Sequence, residues 1–430
     1  MFTLLRVPSS AFAFLVALGL LTIHMIAMAP AAEAQTATAG QIIITEFRLR
    51  GPNGALDEFI ELYNASGADH TVTAASGTGY GVAASDGVTR CSIPNGTVIP
   101  NRGHYLCTNS SVSGYSLSTY PAGNGTTATG DATYTADIPD NAGIALFNNN
   151  SGGGSYTLAN RLDAVGSVSE ANVIFKEGTG LPNLSPFNFE YSFYRDNCGK
   201  QGSTTTFGPC PSGGLPVDTD NNAANFIYIN DSGNTAGAGI RLGGPGPENL
   251  SSPINRNGLI TENLLDATVA SSNTRNRLRD TTSGGAGTPT EFGTMSFRRR
   301  FVNNTGGNVT RLRFRIMDVS TFDGVATPNV ADLRALSSAL VVVVPGVNDA
   351  ATCLATGAPS TPPCTVNLAG ATLETPPVQS NGGGFGSTLS AGNVTLGTPL
   401  ANGASINLQF TVGVARNGFF KFFMNVEALP

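Results

Sequence analysis

The sequence predicts an all-β protein in which an immunoglobulin-like β-sandwich is followed by a second β-sandwich domain. Short β-branched and aromatic runs recur along the chain, and turn signals separate them about every 8–12 residues. The 430 residues include 53 glycines and 25 prolines, only 12% are charged, and tryptophan is absent. This composition favours turns and short strands over long helices. The apolar fraction of 40% is enough to build packed cores.

The stretch from Gln41 to Asn64 holds the first two predicted strands. The β-branched run Ile42–Ile44 comes before a Pro-Asn-Gly turn, and the segment Phe59–Asn64 comes after it. Two apolar runs around such a turn are typical of antiparallel neighbours. The acids of this stretch, including Glu46 and Glu61, are interpreted as polar positions of a scaffold.

Residues 1–34 are predicted to be a cleaved signal peptide. Arg6 supplies the positive start, Ala11 to Met28 is mostly apolar, and Ala32-Glu33-Ala34 offers a small-residue cleavage site. An uncleaved anchor is the alternative, because the run is nearly long enough to span a bilayer. We expect a secreted or extracytoplasmic protein with no membrane span after cleavage.

The six cysteines all follow this segment, and an even number in an exported chain predicts disulfides. Their spacing favours three local pairs over a metal site, because no CxxC motif occurs and histidines are scarce. The predicted pairs are Cys91 with Cys107, Cys198 with Cys210, and Cys353 with Cys364.

About seven short strands are predicted before residue 170. Their order, IIITEF, DEFIELYN, GYGVAASDG, VIPNRGHYLCTN, DNAGIALFN and RLDAVGSV, resembles that of the lamin tail domain. That family is known from nuclear lamins and is widespread in secreted bacterial proteins. The resemblance covers roughly residues 38–235, including a later Glu190–Arg195 segment. Tyr80 stands where the family often carries tryptophan.

The composition divides the chain after the signal peptide into three parts. Residues 36–235 form the lamin-tail-like sandwich with a C-terminal extension, 236–253 a Gly/Pro-rich linker, and 254–430 the second sandwich. In the second sandwich, Met295–Val302 and Val309–Val319 are predicted to pair as a hairpin. Ala331–Leu336 is interpreted as one helical turn.

The sequence offers little for catalysis. After the signal peptide only His70 and His104 remain, on different predicted strands, and no G-x-S-x-G elbow is present. His104 is expected at the surface or at a strand edge. The net charge of −6 does not call for a nucleic-acid partner.

Asp218, Asp220 and Asn222 are the candidate metal ligands. Their alternating side-chain oxygens suit a hard cation such as calcium. The EF-hand pattern fails, because its glycine and its final glutamate are missing. The alternative is an Asx-rich turn that bonds its own backbone.

Five arginines are the candidate binding face. In the predicted hairpin their guanidinium groups share one sheet face, which suits a polymer rich in carboxylate or phosphate. The alternative is a solvated face with interspersed acids. The five are Arg298, Arg300, Arg311, Arg313 and Arg315.

These observations lead to one expected function and two alternatives. We expect an exported, non-enzymatic binding or scaffolding protein of the cell envelope or extracellular space. Its expected partner is a protein or polysaccharide at the cell surface. No cofactor is expected, and calcium is the alternative to that expectation. The alternatives are an accessory module of a secreted hydrolase or nuclease system, and a calcium-dependent adhesion module.

Overall fold

The computed structural model describes residues 36–123, 126–182, 188–232, 240–321, 327–339, 341–355 and 361–430. The predicted signal peptide therefore lies outside the described residues. The predicted all-β sandwich class is confirmed, since 41% of the chain is strand and 5% is helix, arranged in several sheets. Thr36–Pro430 forms one compact unit.

The first part of the chain supplies fifteen of the described strands and one short helix. The strands are β1 Ile42–Arg48, β2 Phe59–Asn64, β3 His70–Thr71, β4 Gly79–Ala84, β5 Thr89–Pro94, β6 Val98–Ile99, β7 His104–Asn109, β8 Pro121–Gly123, β9 Thr126–Thr127, β10 Ala132–Tyr134, β11 Ile144–Phe147, β12 Arg161–Val165, β13 Tyr191–Arg195, β14 Phe226–Asn230 and β15 Ile240–Leu242. Helix α1 is Asn222–Asn225, and 3₁₀ turns lie at Gly153–Ser155, Leu158–Asn160 and Val173–Phe175.

The second part supplies the remaining described strands and one more helix. The strands are β16 Ile254–Asn255, β17 Ile260–Leu264, β18 Arg277–Asp280, β19 Thr294–Asn303, β20 Arg311–Val319, β21 Asp332–Leu336, β22 Val341–Val347, β23 Cys364–Gly370, β24 Thr372–Leu373, β25 Thr388–Ser390, β26 Ser405–Arg416 and β27 Phe422–Leu429. Helix α2 is Ala350–Ala355.

The first sandwich packs a seven-stranded sheet, β10-β7-β2-β1-β13-β14-β15, against a four-stranded sheet, β12-β11-β4-β5. β1 and β2 are antiparallel neighbours, as their sequence predicts. A β-bulge after Ile44 shifts the alternation of β1, so that Ile44 and Phe47 both enter the core. Glu46 therefore lies on the opposite face of the sheet, away from that core.

The second sandwich packs the five-stranded sheet β16-β27-β20-β25-β24 against the sheet β17-β19-β26-β23-β22, with β18 on β19 and β21 on β26. The predicted hairpin is wrong, because β19 pairs with β26 while β20 pairs with β27. The two strands thus lie in opposite sheets. The helical turn predicted at Ala331–Leu336 is also wrong, because Asp332–Leu336 is a strand paired with β26.

The outer face of the first seven-stranded sheet lies against the second sandwich. Ile227 and Ile229 of β14 belong to the same buried apolar cluster as Phe314 and Phe385. Residues 242–249, which fall in the predicted linker, are buried throughout. This Gly/Pro-rich segment therefore fills the space between the two sandwiches.

All three predicted cysteine pairs form disulfides. Cys91–Cys107 joins the two sheets of the first sandwich, and Cys353–Cys364 ties α2 to β23. Cys198–Cys210 closes a loop after β13. Among the described residues, no helix has the length and apolar character needed to cross a membrane.

Candidate functional site

The five arginines of the predicted basic face do not share one open surface. Arg298 and Arg300 lie on β19, and the other three lie on β20 in the opposite sheet. Arg313 and Arg315 are 0% and 2% exposed, and Arg298 is buried as well. The alternation of arginine and apolar residues along β20 suggested that one face of this strand is exposed to solvent. In the folded protein, both faces of the strand are covered.

The other three arginines also have partners within the protein. The Nε of Arg298 donates a hydrogen bond to Oε1 of Gln409 at 2.9 Å. The Nε of Arg300 donates to the hydroxyl of Thr352 at 3.1 Å. Arg311 forms an ion pair with Glu374. The sequence did not reveal these partners, because they come from strands and loops far along the chain.

Arg313 and Arg315 instead belong to a buried group of charges between the two sandwiches. Arg313 contacts Glu248 and lies 2.7 Å from Oε2 of Glu427. Arg315 reaches Oε2 of Glu248 and Oε1 of Glu427, both at 2.9 Å. We call this group the seam network; its members are Glu46, Glu61, His104, Glu248, Arg313, Arg315 and Glu427.

His104 connects the first sandwich to this network. Its Nδ1 lies 3.0 Å from Oε1 of Glu61, and its Nε2 lies 3.1 Å from Oε2 of Glu248. Burial opposes the charged form, but the carboxylates of Glu248 and Glu61 outweigh burial and raise the pKa of His104. His104 is only 8% exposed, so its expected surface position is wrong.

Glu46 differs from the other acids of the network. Burial, followed by the neighbouring Glu61 carboxylate, raises the pKa of Glu46 to about 8. Glu46 accepts hydrogen bonds from the Ser192 hydroxyl at 2.5 Å and from the Gly246 N–H at 3.2 Å. The raised pKa favours the protonated form of Glu46 beside the Glu61 carboxylate.

The space left inside the seam network is small. The cavity bordered by Glu61, His104, Glu248 and Arg315 has a volume of about 20 Å³. A water molecule needs at least roughly 10–15 Å³ on this measure. The network has room for about one water molecule but not for a substrate. Its charged side chains therefore bind one another and hold the two sandwiches together.

Asn222, one of the three predicted metal ligands, bonds to backbone groups of the protein. The Oδ1 of Asn222 accepts hydrogen bonds from the N–H groups of Gly166 at 3.1 Å and Glu177 at 2.9 Å. Its Nδ2 donates to the Ala164 carbonyl at 2.8 Å. Asp220 is exposed and has a positive φ of 53°. The side chain of Asn222 is thus occupied by backbone groups.

Asp218 instead joins two acids that the metal prediction did not include. Ligand oxygens of Asp163, Glu177 and Asp218 lie within 4.8 Å of one another. Arg195 pairs with Asp163 at 2.7 Å and with Asp218 at 3.1 Å. Burial, and then the carboxylates of Asp163 and Asp218, raise the pKa of Glu177 to about 9. We call these three residues the acid cluster.

Each member of the acid cluster has a protein partner. Glu177 is 5% exposed, and its Oε1 lies 3.3 Å from Arg161. A side-chain hydrogen bond joins the carboxyl groups of Glu177 and Asp163, and the raised pKa of Glu177 fits a proton between them. Three carboxyl groups this close can also offer oxygen ligands to a hard cation.

The loop after β7 forms an open polar cavity of about 410 Å³. Its wall is made of neutral amides and hydroxyls, including those of Asn53, Asn109, Ser111 and Thr133. Tyr115 contributes one aromatic ring. Such a lining can exchange hydrogen bonds with a neutral polar ligand.

The sequence analysis missed Glu248 and Glu427, the two acids that each pair with both Arg313 and Arg315. One signal was present, because Glu248 is the only acid in the Gly/Pro-rich segment 242–253. An acid isolated among glycines and prolines suggests a specific partner. Nothing in the local sequence identified Arg313 and Arg315 as that partner.

No protein family, no curated protein and no solved structure matches this chain.

Proposed function

We propose that this chain is an exported, non-enzymatic binding or scaffolding protein of the cell envelope or extracellular space. Its first sandwich would be lamin-tail-like. The three disulfides support an oxidising compartment, where such bonds persist. The predicted signal peptide and the strand order of the first sandwich support the same proposal.

The seam network is the observation that carries this proposal. Glu61 and His104 come from the first sandwich, Arg313, Arg315 and Glu427 come from the second, and Glu248 lies between them. Removing one member of a buried ion group costs roughly 3–5 kcal/mol, because its partners lose their counter-charge. A joint of this kind fixes the two sandwiches in one arrangement, as a scaffold requires.

The open cavity beside β7 supports a polysaccharide as the partner. Neutral hydroxyls and amides match the donors and acceptors of a sugar, and Tyr115 offers an apolar surface for a sugar ring. The test is binding of purified protein to polysaccharides of the producing cell's surface. We expect Tyr115→Ala to weaken this binding about tenfold or more, while Glu262→Gln, on β17 of the second sandwich, leaves it unchanged.

A hydrolysis assay tests the non-enzymatic part of the proposal. Purified protein is incubated with phosphodiester, ester and glycoside substrates, and we expect no turnover above the buffer rate. Hydrolysis that a single point change abolishes would contradict the proposal. Recovery of a hydrolase or nuclease in a pull-down from culture supernatant would favour the accessory-module alternative.

The acid cluster favours a second candidate, calcium-dependent adhesion. Three carboxyl groups whose oxygens lie within 4.8 Å of one another offer hard ligands for a cation, which would displace the proton and compete with Arg161 and Arg195. A bound cation stabilises the folded state, so calcium should raise the melting temperature, and Asp218→Asn should remove that effect. A melting temperature unmoved by millimolar calcium would exclude this candidate.

A further inference from the structure

The second sandwich contains an apolar cavity of about 300 Å³ between its two sheets. Phenylalanines of β19 and β26 form one wall, and those of β20 and β27 form the other. We call it the phenylalanine cavity; its rings are Phe297, Phe301, Phe314, Phe410, Phe420, Phe422 and Phe423. Its volume is at the lower end of the range for small-molecule sites.

The cavity opens at one side of the sandwich. β16 pairs with β27 only at Glu427 and Ala428, so it does not extend along β27 to Phe422. The deep rings, Phe314 and Phe410 among them, are at most 1% exposed. The outer rings, including Phe297 and Phe422, are only half-buried. The cavity therefore leads from solvent into the core.

A gap of this size is unusual for a packed interior. Protein cores have few voids larger than a water molecule, because each void forfeits contact energy. The partly exposed aromatic rings around the gap add a further free-energy cost, because their apolar surface stays in contact with water. A ligand between the sheets would offset both costs.

Glu262 and Arg299 line the cavity beside the rings, and Arg277 lies at its Phe420 end. The Arg277 guanidinium lies 5.7 Å from the centre of the Phe420 ring. Phe420 also borders an adjoining cavity of about 230 Å³, which Arg277 and Arg279 line. Within the described part of the chain, neither arginine forms an ion pair with a carboxylate. Arg299, in contrast, pairs with Glu262 at 2.6 Å.

We propose that the phenylalanine cavity binds an anionic amphiphile with a long-chain carboxylate. Its acyl chain would lie between the two sheets, and its carboxylate would reach Arg277 beside Phe420. Apolar burial would supply the affinity, and the charge-assisted hydrogen bond to Arg277 would select the anion. This inference is independent of the surface partner proposed above.

The absence of tryptophan provides a direct assay. Phe420→Trp places a single fluorescent reporter between the two cavities. We expect dodecanoate, below its micelle concentration, to shift the emission saturably. Dodecanol, which has the same chain without the charge, should bind about tenfold more weakly, because a hydrogen bond to a charged group is worth roughly 1.5–3 kcal/mol.

Two further variants, made in the wild-type and reporter backgrounds, assign the contacts. Arg277→Gln should reduce the affinity for dodecanoate about tenfold and leave that for dodecanol unchanged. Met424→Tyr narrows the cavity and should abolish binding of both. Arg50→Gln, in the first sandwich, is the matched control and should change neither. Melting temperatures verify that each variant is folded.

Calorimetry of the wild-type protein measures dodecanoate binding without the tryptophan reporter. Comparison with the fluorescence assay therefore reveals any binding that the Phe420→Trp change itself creates. Saturable dodecanoate binding that Arg277→Gln weakens and Met424→Tyr abolishes supports the site. No saturable binding, equal affinities for dodecanoate and dodecanol, or binding that persists in both variants would overturn it. None of these results affects polysaccharide binding at the β7 cavity, so the two proposals fail separately.

Discussion

The seam network and the phenylalanine cavity use the same two-sheet architecture in opposite ways. At the seam, charged side chains fill the space between the sandwiches, and only about 20 Å³ remains. Inside the second sandwich, apolar rings leave about 300 Å³ open. Many of the protein's few charged side chains are thus buried within its own structure. The cavities that stay open are lined mostly by apolar or neutral polar side chains.

Breaking the seam should have the largest effect. Glu248 contacts Arg313, Arg315 and His104, and these cations lower its pKa against the effect of burial. Glu248→Gln leaves them short of counter-charge and should cost about 3–5 kcal/mol of unfolding free energy in urea denaturation. Glu262→Gln, which breaks a surface pair, should cost at most about 1 kcal/mol. Equal losses in the two variants would contradict a structural role for the seam.

Removing a wall of the cavity should have an intermediate effect. Phe422 is half-buried at the opening, whereas Phe314 is fully buried in the core behind it. Phe422→Ala should cost about 2 kcal/mol, against about 3–5 kcal/mol for Phe314→Ala, by the same denaturation assay. If Phe422→Ala were as costly as Phe314→Ala, the cavity would be closed core rather than an open site.

The effect expected at Glu46 depends on pH. Its pKa of about 8 in the folded protein lies above the ordinary value of 4.5. The folded state keeps a proton that the unfolded chain releases, so this residue's contribution to stability falls as the pH rises from about 4.5 to 8.

Glu46→Gln should remove this dependence. The amide oxygen can still accept the Ser192 and Gly246 hydrogen bonds. Relative to wild type, the variant should gain at least about 1.4 kcal/mol, the value of one pKa unit, between pH 5 and pH 9. Chemical denaturation at both pH values measures this gain. A constant difference between the two proteins would mean that Glu46 is ionised in the fold.

Local pattern predicted much of the fold. The β-branched and aromatic runs, together with their turns, identified β1 and β2 and their antiparallel pairing. Close spacing identified the three disulfides, because a short loop brings two cysteines together at little entropic cost. These features depend on residues that are near one another in the chain.

Pairing between distant strands could not be predicted in the same way. β19 and β20 are joined by a short Asn/Gly-rich segment that is typical of a hairpin, yet the chain crosses there from one sheet to the other. A connection of that length can form a hairpin within one sheet or cross between two sheets. Which of the two forms depends on how both faces of each strand pack against the rest of the protein. The candidate site shares this limit, because Glu61, Glu248 and Glu427 are far apart in sequence.

Patterns of neighbouring residues were enough to predict the all-β class, the order of the first strands and the cysteine pairs. Which polar residues are buried depends on contacts between distant segments, so it is visible only in the folded protein. An alternating strand distinguishes two faces but does not say what covers each, so Arg313 and Arg315 appeared as an open basic face. Burial against Glu248 and Glu427 made them a joint between the sandwiches. β16 pairs with β27 only at Glu427 and Ala428, so the side of the phenylalanine cavity at Phe422 stays open.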